Sequence, residues 1–389
     1  MEFIDTMLMT PGPVHLDAEV MLAGARPLLH HRTDDFAPIY TECVNLLKKF
    51  INTKHLYLTT SSGTGAMETA IANSFNEGET VLNIQTGVFG VRFTQICKAF
   101  RLNTVELKCE DGKCVKIEQI AKAIQENPAI SGVTVTFNET STGIKNDIKA
   151  IGEFLKGKNI LLIVDGVSGL GALEYDHDNW NVDVTVSASQ KGFLAPPGVG
   201  MVALSERAMA KMESVKCHGL YFDLKVYKKN QELKIPAYPW TPAINVMYSL
   251  LEALRKIDRI GLNVCINHYA KLAGGLRAAL KALGIKIFTE ECATSNVLTV
   301  FYVPENLNPK EIVAEMVNKY GIRIAGGQEQ FANTMLRITT IGNIGERDLI
   351  GTIGLLEMIL KQKGYLKETG AGLKAMMEYF MANEKLQVK

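Results

Sequence analysis

Ser187-Ala188-Ser189-Gln190-Lys191-Gly192, followed by Pro196-Pro197-Gly198, is the stretch from which the fold and the chemistry of this chain can be worked out. It follows an alternating, β-prone run, Val182 to Val186, and leads into a loop in which a strand cannot continue. Lys191 is therefore predicted to be held where a strand meets a loop. Partial loss of water would disfavour its charged form and leave an amine able to attack an aldehyde. Most lysines are solvated surface charges, so this signal is weak alone.

A second stretch, Ile160 to Gly166, places five branched apolar residues before a carboxylate. This pattern predicts a strand buried on both faces, with Asp165 at its carboxyl end. Ligands of open α/β sheets bind at the carboxyl ends of strands, so Asp165 is a candidate cofactor contact. A turn or helix-capping aspartate is the plainer interpretation of Val-Asp-Gly taken alone.

A third stretch has the pattern of a strand, a turn and a helix. Leu56 to Thr60 is β-like, Ser61 to Gly65 is a turn of small polar residues, and Ala66 to Phe75 is helix-like. Free backbone N–H groups, hydroxyls and the positive end of a helix dipole together suit a phosphate. The loop lacks the Gly-Lys-Ser/Thr of ATP-binding loops, and an ordinary capped helix is the alternative.

A phosphate loop, a buried carboxylate and a constrained lysine are what pyridoxal phosphate requires of a protein. Together with other motifs they make the chain resemble the class V aminotransferases, and within them the alanine/serine-glyoxylate (or pyruvate) branch. The resemblance extends from about Met7 to about Leu360. Its motifs are Thr10-Pro11-Gly12-Pro13, His31-Arg32-Thr33, Ser62-Gly63-Thr64, Asn138-Glu139-Thr140-Ser141-Thr142-Gly143, Val164-Asp165-Gly166-Val167 and Ser189-Gln190-Lys191.

The resemblance implies a role for individual residues. Lys191 would form a Schiff base with the cofactor and carry a proton between substrate and cofactor, while Asp165 would pair with the pyridine nitrogen. Arg337, in Leu336-Arg337-Ile338, would grip the substrate carboxylate with its planar fork, and Gly12 is a second implied substrate contact. Further implied cofactor contacts are Ser62, Gly63, Thr64, Phe89, Thr140, Val167, Gln190, Tyr238 and Thr241.

Some of these positions bear on subclass and assembly. Cysteine desulfurases of the same class carry histidine where this chain has Gln190 and Phe89, so the resemblance to them is poorer. Thr64 replaces a histidine of some relatives.

Tyr238 and Thr241 match a segment that, in the family, reaches the phosphate of the neighbouring subunit's cofactor. The resemblance thus implies a homodimer with its active site at the subunit interface.

The fold class implied is α/β, fold type I of the pyridoxal-phosphate-dependent transferases. A large domain would contain a mainly parallel seven-stranded sheet, and a smaller C-terminal α/β domain would follow. We predict an N-terminal arm over residues 1–20, the large domain over 21–260 and the small domain over 261–389. Alternation of β-like and helical runs over residues 81–204 supports a covered parallel sheet. The apolar spacing of Leu373, Met376, Met377 and Phe380 predicts a packed C-terminal helix.

Composition sets limits on partners. The 42 basic and 41 acidic residues nearly balance, so the net charge of the protein does not favour binding to nucleic acid or to an anionic membrane. No apolar run approaches the roughly 20 residues that span a bilayer.

The first residues, Met1 to Asp5, lack a signal-peptide pattern, and Leu386 to Lys389 does not form a peroxisomal targeting signal, so a cytoplasmic enzyme is expected. Seven cysteines without metal spacing indicate free thiols, and no metal is expected at Cys109, Cys114 or His30-His31.

Functions other than transamination fit the sequence less well. Gly166 to Gly171 follows a strand as a dinucleotide loop would, but its glycine spacing is wrong for a dehydrogenase. A non-catalytic relative is disfavoured because Lys191, Asp165 and Arg337 are all present. A lyase, a desulfurase or a transaminase with another donor such as aspartate stays open. The expected substrates are small amino acids, alanine or serine, and 2-oxo acids, glyoxylate or pyruvate.

Overall fold

The computed structural model of the protein describes residues 6–384. Met1 to Asp5 and Leu386 to Lys389, on which the expectations about targeting rested, lie outside this range. Within it, no helix combines the length and apolar character needed to cross a membrane.

Strands and helices alternate along much of the chain. The strands are β1 (Met7–Leu8), β2 (His55–Thr59), β3 (Thr80–Gln85), β4 (Asn103–Lys108), β5 (Ile130–Thr136), β6 (Asn138–Glu139), β7 (Ile144–Lys145), β8 (Leu161–Asp165), β9 (Val184–Ala188), β10 (Gly200–Leu204), β11 (Leu298–Tyr302), β12 (Ile322–Arg323), β13 (Ala325–Gly326) and β14 (Met335–Thr339). The helices are α1 (Ala18–Ala23), α2 (Ala37–Ile51), α3 (Gly63–Ser74), α4 (Val88–Ala99), α5 (Ile117–Glu126), α6 (Ile148–Leu155), α7 (Glu206–Ser214), α8 (Leu224–Gln231), α9 (Ile244–Ile260), α10 (Leu262–Ala282), α11 (Pro309–Tyr320), α12 (Glu346–Gln362) and α13 (Ala371–Ala382).

The largest sheet has seven strands in the order β2-β10-β9-β8-β5-β3-β4. Strand β10 is antiparallel to both of its neighbours, and the other pairs are parallel, which confirms the mainly parallel seven-stranded sheet. Every residue of β8, β9 and β10 is buried, because helices cover the sheet. Since β2, β8 and β9 run in one direction, their carboxyl ends meet at one edge of the sheet.

A second apolar core lies in the C-terminal part of the chain. It is built from α10 to α13 and the antiparallel sheet β11-β14-β13. Met9 belongs to this core and β1 pairs with β12, so the N-terminal arm packs on the C-terminal part. Met376 and Phe380 of α13 are buried there and Leu373 is partly buried, as the apolar spacing of the tail predicts, whereas Met377 is exposed, contrary to that prediction. The domain bounds 1–20, 21–260 and 261–389 stay predictions.

Asp183 fixes the start of the two central strands that lead to the predicted site. Its carboxylate accepts hydrogen bonds from the Leu162 N–H (2.8 Å), the Ser205 hydroxyl (2.9 Å) and Arg207 Nε (2.8 Å), and it also contacts Arg207 Nη2. The same guanidinium donates to the Ile160 carbonyl. One buried carboxylate therefore ties β8, β9 and α7 together at the edge opposite Asp165.

Replacing Asp183 by alanine is expected to lower the free energy of unfolding by about 3 kcal/mol, because a buried N–H and a guanidinium lose their acceptor. Chemical denaturation followed by circular dichroism measures this. The control is Asp258→Ala, which removes an exposed ion pair with Lys49 and should cost less than about 1 kcal/mol. Equal losses in the two variants would contradict the anchoring role of Asp183.

Candidate active site

A cavity of about 260 Å³ opens where β2, β8 and β9 end. The lining side chains come from segments that are far apart in the sequence. Eight of the sequence-predicted residues lie on its wall directly: Gly12, Ser62, Gly63, Thr64, Phe89, Thr140, Val167 and Gln190. Asp165 and Lys191 line the cavity as well. The carboxyl ends of β8 and β9 therefore bring the acid and the amine to one place, as expected for an open α/β sheet.

Asp165 is the last residue of β8 and is almost completely buried. Its Oδ1 accepts a hydrogen bond from the Val167 N–H at 2.9 Å. Burial raises the pKa of Asp165 to about 7, opposed by the Val167 N–H and reinforced by the nearby Glu139 carboxylate. A carboxyl group in this state can carry a proton or a negative charge near neutral pH.

Lys191 follows β9 by three residues, in the loop that the glycine and proline pattern predicts. Its Nζ donates a hydrogen bond to the Pro11 carbonyl at 2.6 Å. Burial lowers the pKa of Lys191 to about 8; Asp165 raises that pKa and Arg337 lowers it further. Gly12 is required beside it, because φ is +139° there and a Cβ would lie 2.3 Å from Nζ.

The loop predicted to hold a phosphate leads into the N-terminus of α3. Ser62 is its N-cap, and the Ser62 Oγ accepts from the Gly65 N–H at 3.4 Å. The first N–H groups of a helix lack partners within the helix, so this end is suited to an anion. Thr64 Oγ1 accepts from Arg92 Nη1 at 3.2 Å, and the Arg92 guanidinium lies 4.6 Å from the centre of the Phe89 ring.

Arg92 was missed by the sequence reasoning, although it lines the cavity. Its position three residues after Phe89 on α4 puts the two side chains on one helix face, and that spacing could have revealed it. Met67 and Ser168 also line the cavity without having been predicted to do so. Pro13, Asn138 and Pro197 line it too; they stand in motifs noted in the sequence, which assigned them no individual role.

Arg337, on β14, enters the site from the C-terminal part of the chain and is buried. It does not line the cavity itself, but its Nη1 donates to the carbonyl of Thr140, which does, at 2.8 Å. Its Nε donates to the Gly326 carbonyl at 2.7 Å. Burial lowers the pKa of Arg337 to about 10, which still leaves it charged at neutral pH.

Tyr238 and Thr241 do not line the cavity. Tyr238 is buried against Tyr40 and Tyr227, and its hydroxyl accepts from Thr60 Oγ1 at 3.3 Å. Thr241 is exposed. Their implied contact with a neighbouring subunit's cofactor stays a prediction.

Gly166 to Gly171 does not form a dinucleotide loop. The Gly169 and Leu170 N–H groups donate to the Gly166 carbonyl, and the chain runs through turns from β8 to β9 without a helix. A helix N-terminus for a pyrophosphate is therefore lacking at this point.

The residues around the cavity fit pyridoxal phosphate. The N-terminus of α3 offers N–H groups to the phosphate, Asp165 offers a buried acid to the ring nitrogen, and Lys191 offers an amine. The buried Gln190 Oε1 has no hydrogen-bond partner among residues 6–384, so the cavity contains a polar group for which a ligand would supply the partner. Fold and site together define a pyridoxal-phosphate enzyme of fold type I.

Comparisons with known proteins identify the family. Residues 20–342 match the class-V aminotransferases. An uncharacterized aminotransferase of Methanocaldococcus jannaschii is 38% identical over 94% of this chain and 96% of that protein. The serine–glyoxylate aminotransferase of Arabidopsis thaliana is 31% identical over 96% of this chain and 94% of that protein. The crystal structure of an alanine–glyoxylate aminotransferase from Nostoc sp. superposes with a TM-score of 0.88 at 26% identity, covering 92% of this chain and 96% of that one.

The chain belongs to the class V aminotransferase family. It is a pyridoxal-phosphate-dependent transaminase of the alanine/serine-glyoxylate branch, as the motifs of the sequence indicate.

The pKa of Lys191 predicts how the cofactor-free protein takes up pyridoxal phosphate. Because only the neutral amine attacks an aldehyde, we expect the rate of Lys191 modification to rise with pH through a midpoint near 8. Asp165→Asn should move the midpoint to lower pH, since the Asp165 carboxylate raises the pKa of Lys191. Arg337→Gln should move it to higher pH, since the guanidinium lowers that pKa.

Borohydride quenching followed by mass spectrometry measures this modification at each pH. A small primary amine with the ordinary lysine pKa of about 10.4 serves as the reference for the titration of the aldehyde reagent itself. A wild-type midpoint that coincides with this reference would contradict the desolvation of Lys191.

Proposed function

We propose that this transaminase moves the amino group of a small amino acid, alanine or serine, to glyoxylate or pyruvate in a two-stage ping-pong cycle. The observation that carries the proposal is the juxtaposition of a partly buried amine, Lys191, and a buried acid, Asp165, on one cavity. The serine–glyoxylate and alanine–glyoxylate activities named for two relatives support the choice of substrates.

When bound, pyridoxal phosphate supplies an aldehyde carbon and an electron-withdrawing ring that stabilises negative charge on the substrate Cα. The chain supplies the groups that hold and move protons. In this proposal Asp165 holds a proton on the ring nitrogen by keeping a negative charge beside it. Lys191 removes the Cα proton of the substrate and returns it on the cofactor side, for which a pKa near neutrality is suited.

Arg337 is proposed to bind the substrate carboxylate. Its Nε and Nη1 are fixed by the Gly326 and Thr140 carbonyls, whereas its Nη2 has no hydrogen-bond acceptor within residues 6–384. A guanidinium held in this way presents its remaining N–H groups in a fixed direction, so little entropy is lost when a carboxylate binds.

The residues around the cavity do not choose between amino donors. One methylene or hydroxyl group changes binding in such a pocket by only about 1 to 3 kcal/mol. L-Aspartate as donor and a lyase reaction therefore stay as alternatives. A desulfurase is disfavoured further, because the described residues that line the cavity include no cysteine to accept sulfur.

We also propose a homodimer and a cytoplasmic location. The segment that contains Thr241 carries exposed apolar side chains, Leu220, Tyr221, Leu233 and Ile235, which a partner subunit would cover. The seven cysteines are free, which suits a reducing compartment.

The first test of the reaction is an absorbance titration of the cofactor-loaded protein. We expect L-alanine or L-serine to bleach the visible cofactor band and glyoxylate or pyruvate to restore it, because the amino group leaves and returns in separate half-reactions. L-Aspartate is added in parallel to test the alternative donor. Lys191→Ala should retain no turnover. A band that no amino acid bleaches reversibly would point to a lyase, and turnover in Lys191→Ala would contradict the mechanism.

Arg337→Ala is expected to raise the KM for the amino donor by about 10- to 100-fold, because a charged hydrogen bond worth about 1.5 to 3 kcal/mol is lost. Steady-state kinetics measure this. Arg337→Lys tests whether the fork or the charge alone is needed, and Arg323→Ala is the control, since Arg323 is an exposed arginine on β12, a strand that does not pair with β14. An unchanged KM in Arg337→Ala would refute its carboxylate role.

A further inference from the structure

Two thiols and a carboxylate meet at a point remote from the Lys191 cavity. Cys114 lies in the loop between β4 and α5, while Glu290 and Cys292 lie just before β11. The two sulfur atoms and a Glu290 oxygen all lie within 4.8 Å of one another. We propose that these three side chains form a binding site for a thiophilic divalent metal ion of the Zn²⁺ type, which would link the two parts of the chain.

The spacing of the donor atoms fits tetrahedral coordination. With Zn–S bonds of about 2.3 Å and Zn–O bonds of about 2.0 Å, a sulfur and an oxygen on one tetrahedral ion lie about 3.5 Å apart. Cys114 Sγ lies 3.6 Å from Glu290 Oε1. Two thiolates and a carboxylate are a donor set that prefers zinc to magnesium or calcium, and a water molecule would complete the tetrahedron.

The backbone holds the donors in place without a metal. The Glu290 N–H donates to the Gly112 carbonyl at 2.9 Å, and the Cys114 N–H donates to Glu290 Oε1 at 3.2 Å. Gly112 has φ of +78°, and a Cβ there would lie 2.6 Å from the Phe288 carbonyl oxygen, so the two segments approach closely. Little rearrangement is then needed when an ion binds.

Glu290 is also available as a ligand. The neighbouring carboxylates Glu110 and Glu291 form ion pairs with Lys113 and Lys281, whereas Glu290 forms no salt bridge among residues 6–384. Cys292 is exposed, which gives an ion a path to the site. On binding, each thiol releases its proton to water as its sulfur–metal bond forms, and the ion loses water molecules.

The sequence alone gives no reason to expect a metal at Cys114. The second cysteine of the proposed site, Cys292, lies far along the chain, so no metal-binding spacing of cysteines appears in the sequence. The same segment touches the loop that carries Thr140: Thr289 Oγ1 donates to the Thr142 carbonyl at 2.8 Å. A bound ion would therefore hold the C-terminal part against the loop that borders the active site.

The test is a Co²⁺ titration of the purified cofactor-loaded protein, followed by competition with Zn²⁺. We expect one Co²⁺ per chain with the intense visible ligand-field bands of tetrahedral cobalt, and their loss when Zn²⁺ replaces it. Cys114→Ser, Cys292→Ser and Glu290→Gln should each weaken binding by about 100-fold or more, because one of three protein ligands is lost. The matched controls Cys217→Ser and Glu291→Gln should bind as the wild type does.

Cys292 is exposed, so Cys292→Ser should keep the fold, which its cofactor spectrum and thermal unfolding check. Zn²⁺ should raise the melting temperature of the wild-type protein relative to a chelator and leave that of Cys292→Ser unchanged. Binding that does not saturate below millimolar Co²⁺, or tetrahedral bands that persist in both cysteine variants, would mean an adventitious ion only and overturn the proposal. These readouts do not depend on transamination, so the two proposals fail independently.

Discussion

The chemistry of this protein depends on the removal of water from charged side chains at one edge of its large sheet. Burial is the largest influence on the pKa of Asp165, of Lys191 and of Arg337. It raises the pKa of the acid to about 7 and lowers that of the amine to about 8, so two groups that ordinarily titrate far apart approach one another near neutral pH. Because helices cover the sheet, its carboxyl edge is the place where these polar groups can meet a ligand.

Glu139 shows how a buried carboxyl group is satisfied by hydrogen bonds without an ion pair, although burial raises its pKa. Its carboxylate is fully buried and accepts hydrogen bonds from the N–H groups of Phe89 and Gly90, at 3.0 and 3.2 Å, and from the N–H and hydroxyl of Ser141. Phe89 and Gly90 lie in the first turn of α4, where unpaired N–H groups favour an anion. Glu139 thereby fixes the helix that carries Phe89 to the loop that carries Thr140.

The site is shared between the two parts of the chain. Arg337 comes from the C-terminal part, yet its guanidinium is fixed by the Thr140 carbonyl at the edge of the large sheet. Any movement of one part against the other would therefore change the position of the group proposed to bind the substrate carboxylate. The hydrogen bond between Thr289 and Thr142 and the bridge between Ile144 and Thr294 hold the same two parts together nearby.

The sequence by itself determined the alternation of strands and helices and placed Asp165 and Lys191 where strands end. These follow from local patterns: continuous apolar runs mark strands buried on both faces, and strand ends carry the polar residues. Fold type I, with its seven-stranded sheet, followed from the resemblance of the ordered motifs to the class V aminotransferases. Tertiary structure decided the rest, because contacts between distant segments depend on packing that no local pattern records. It brought Arg92 to Thr64, buried Tyr238 in the apolar core, joined Arg337 to Thr140 and placed Cys292 beside Cys114.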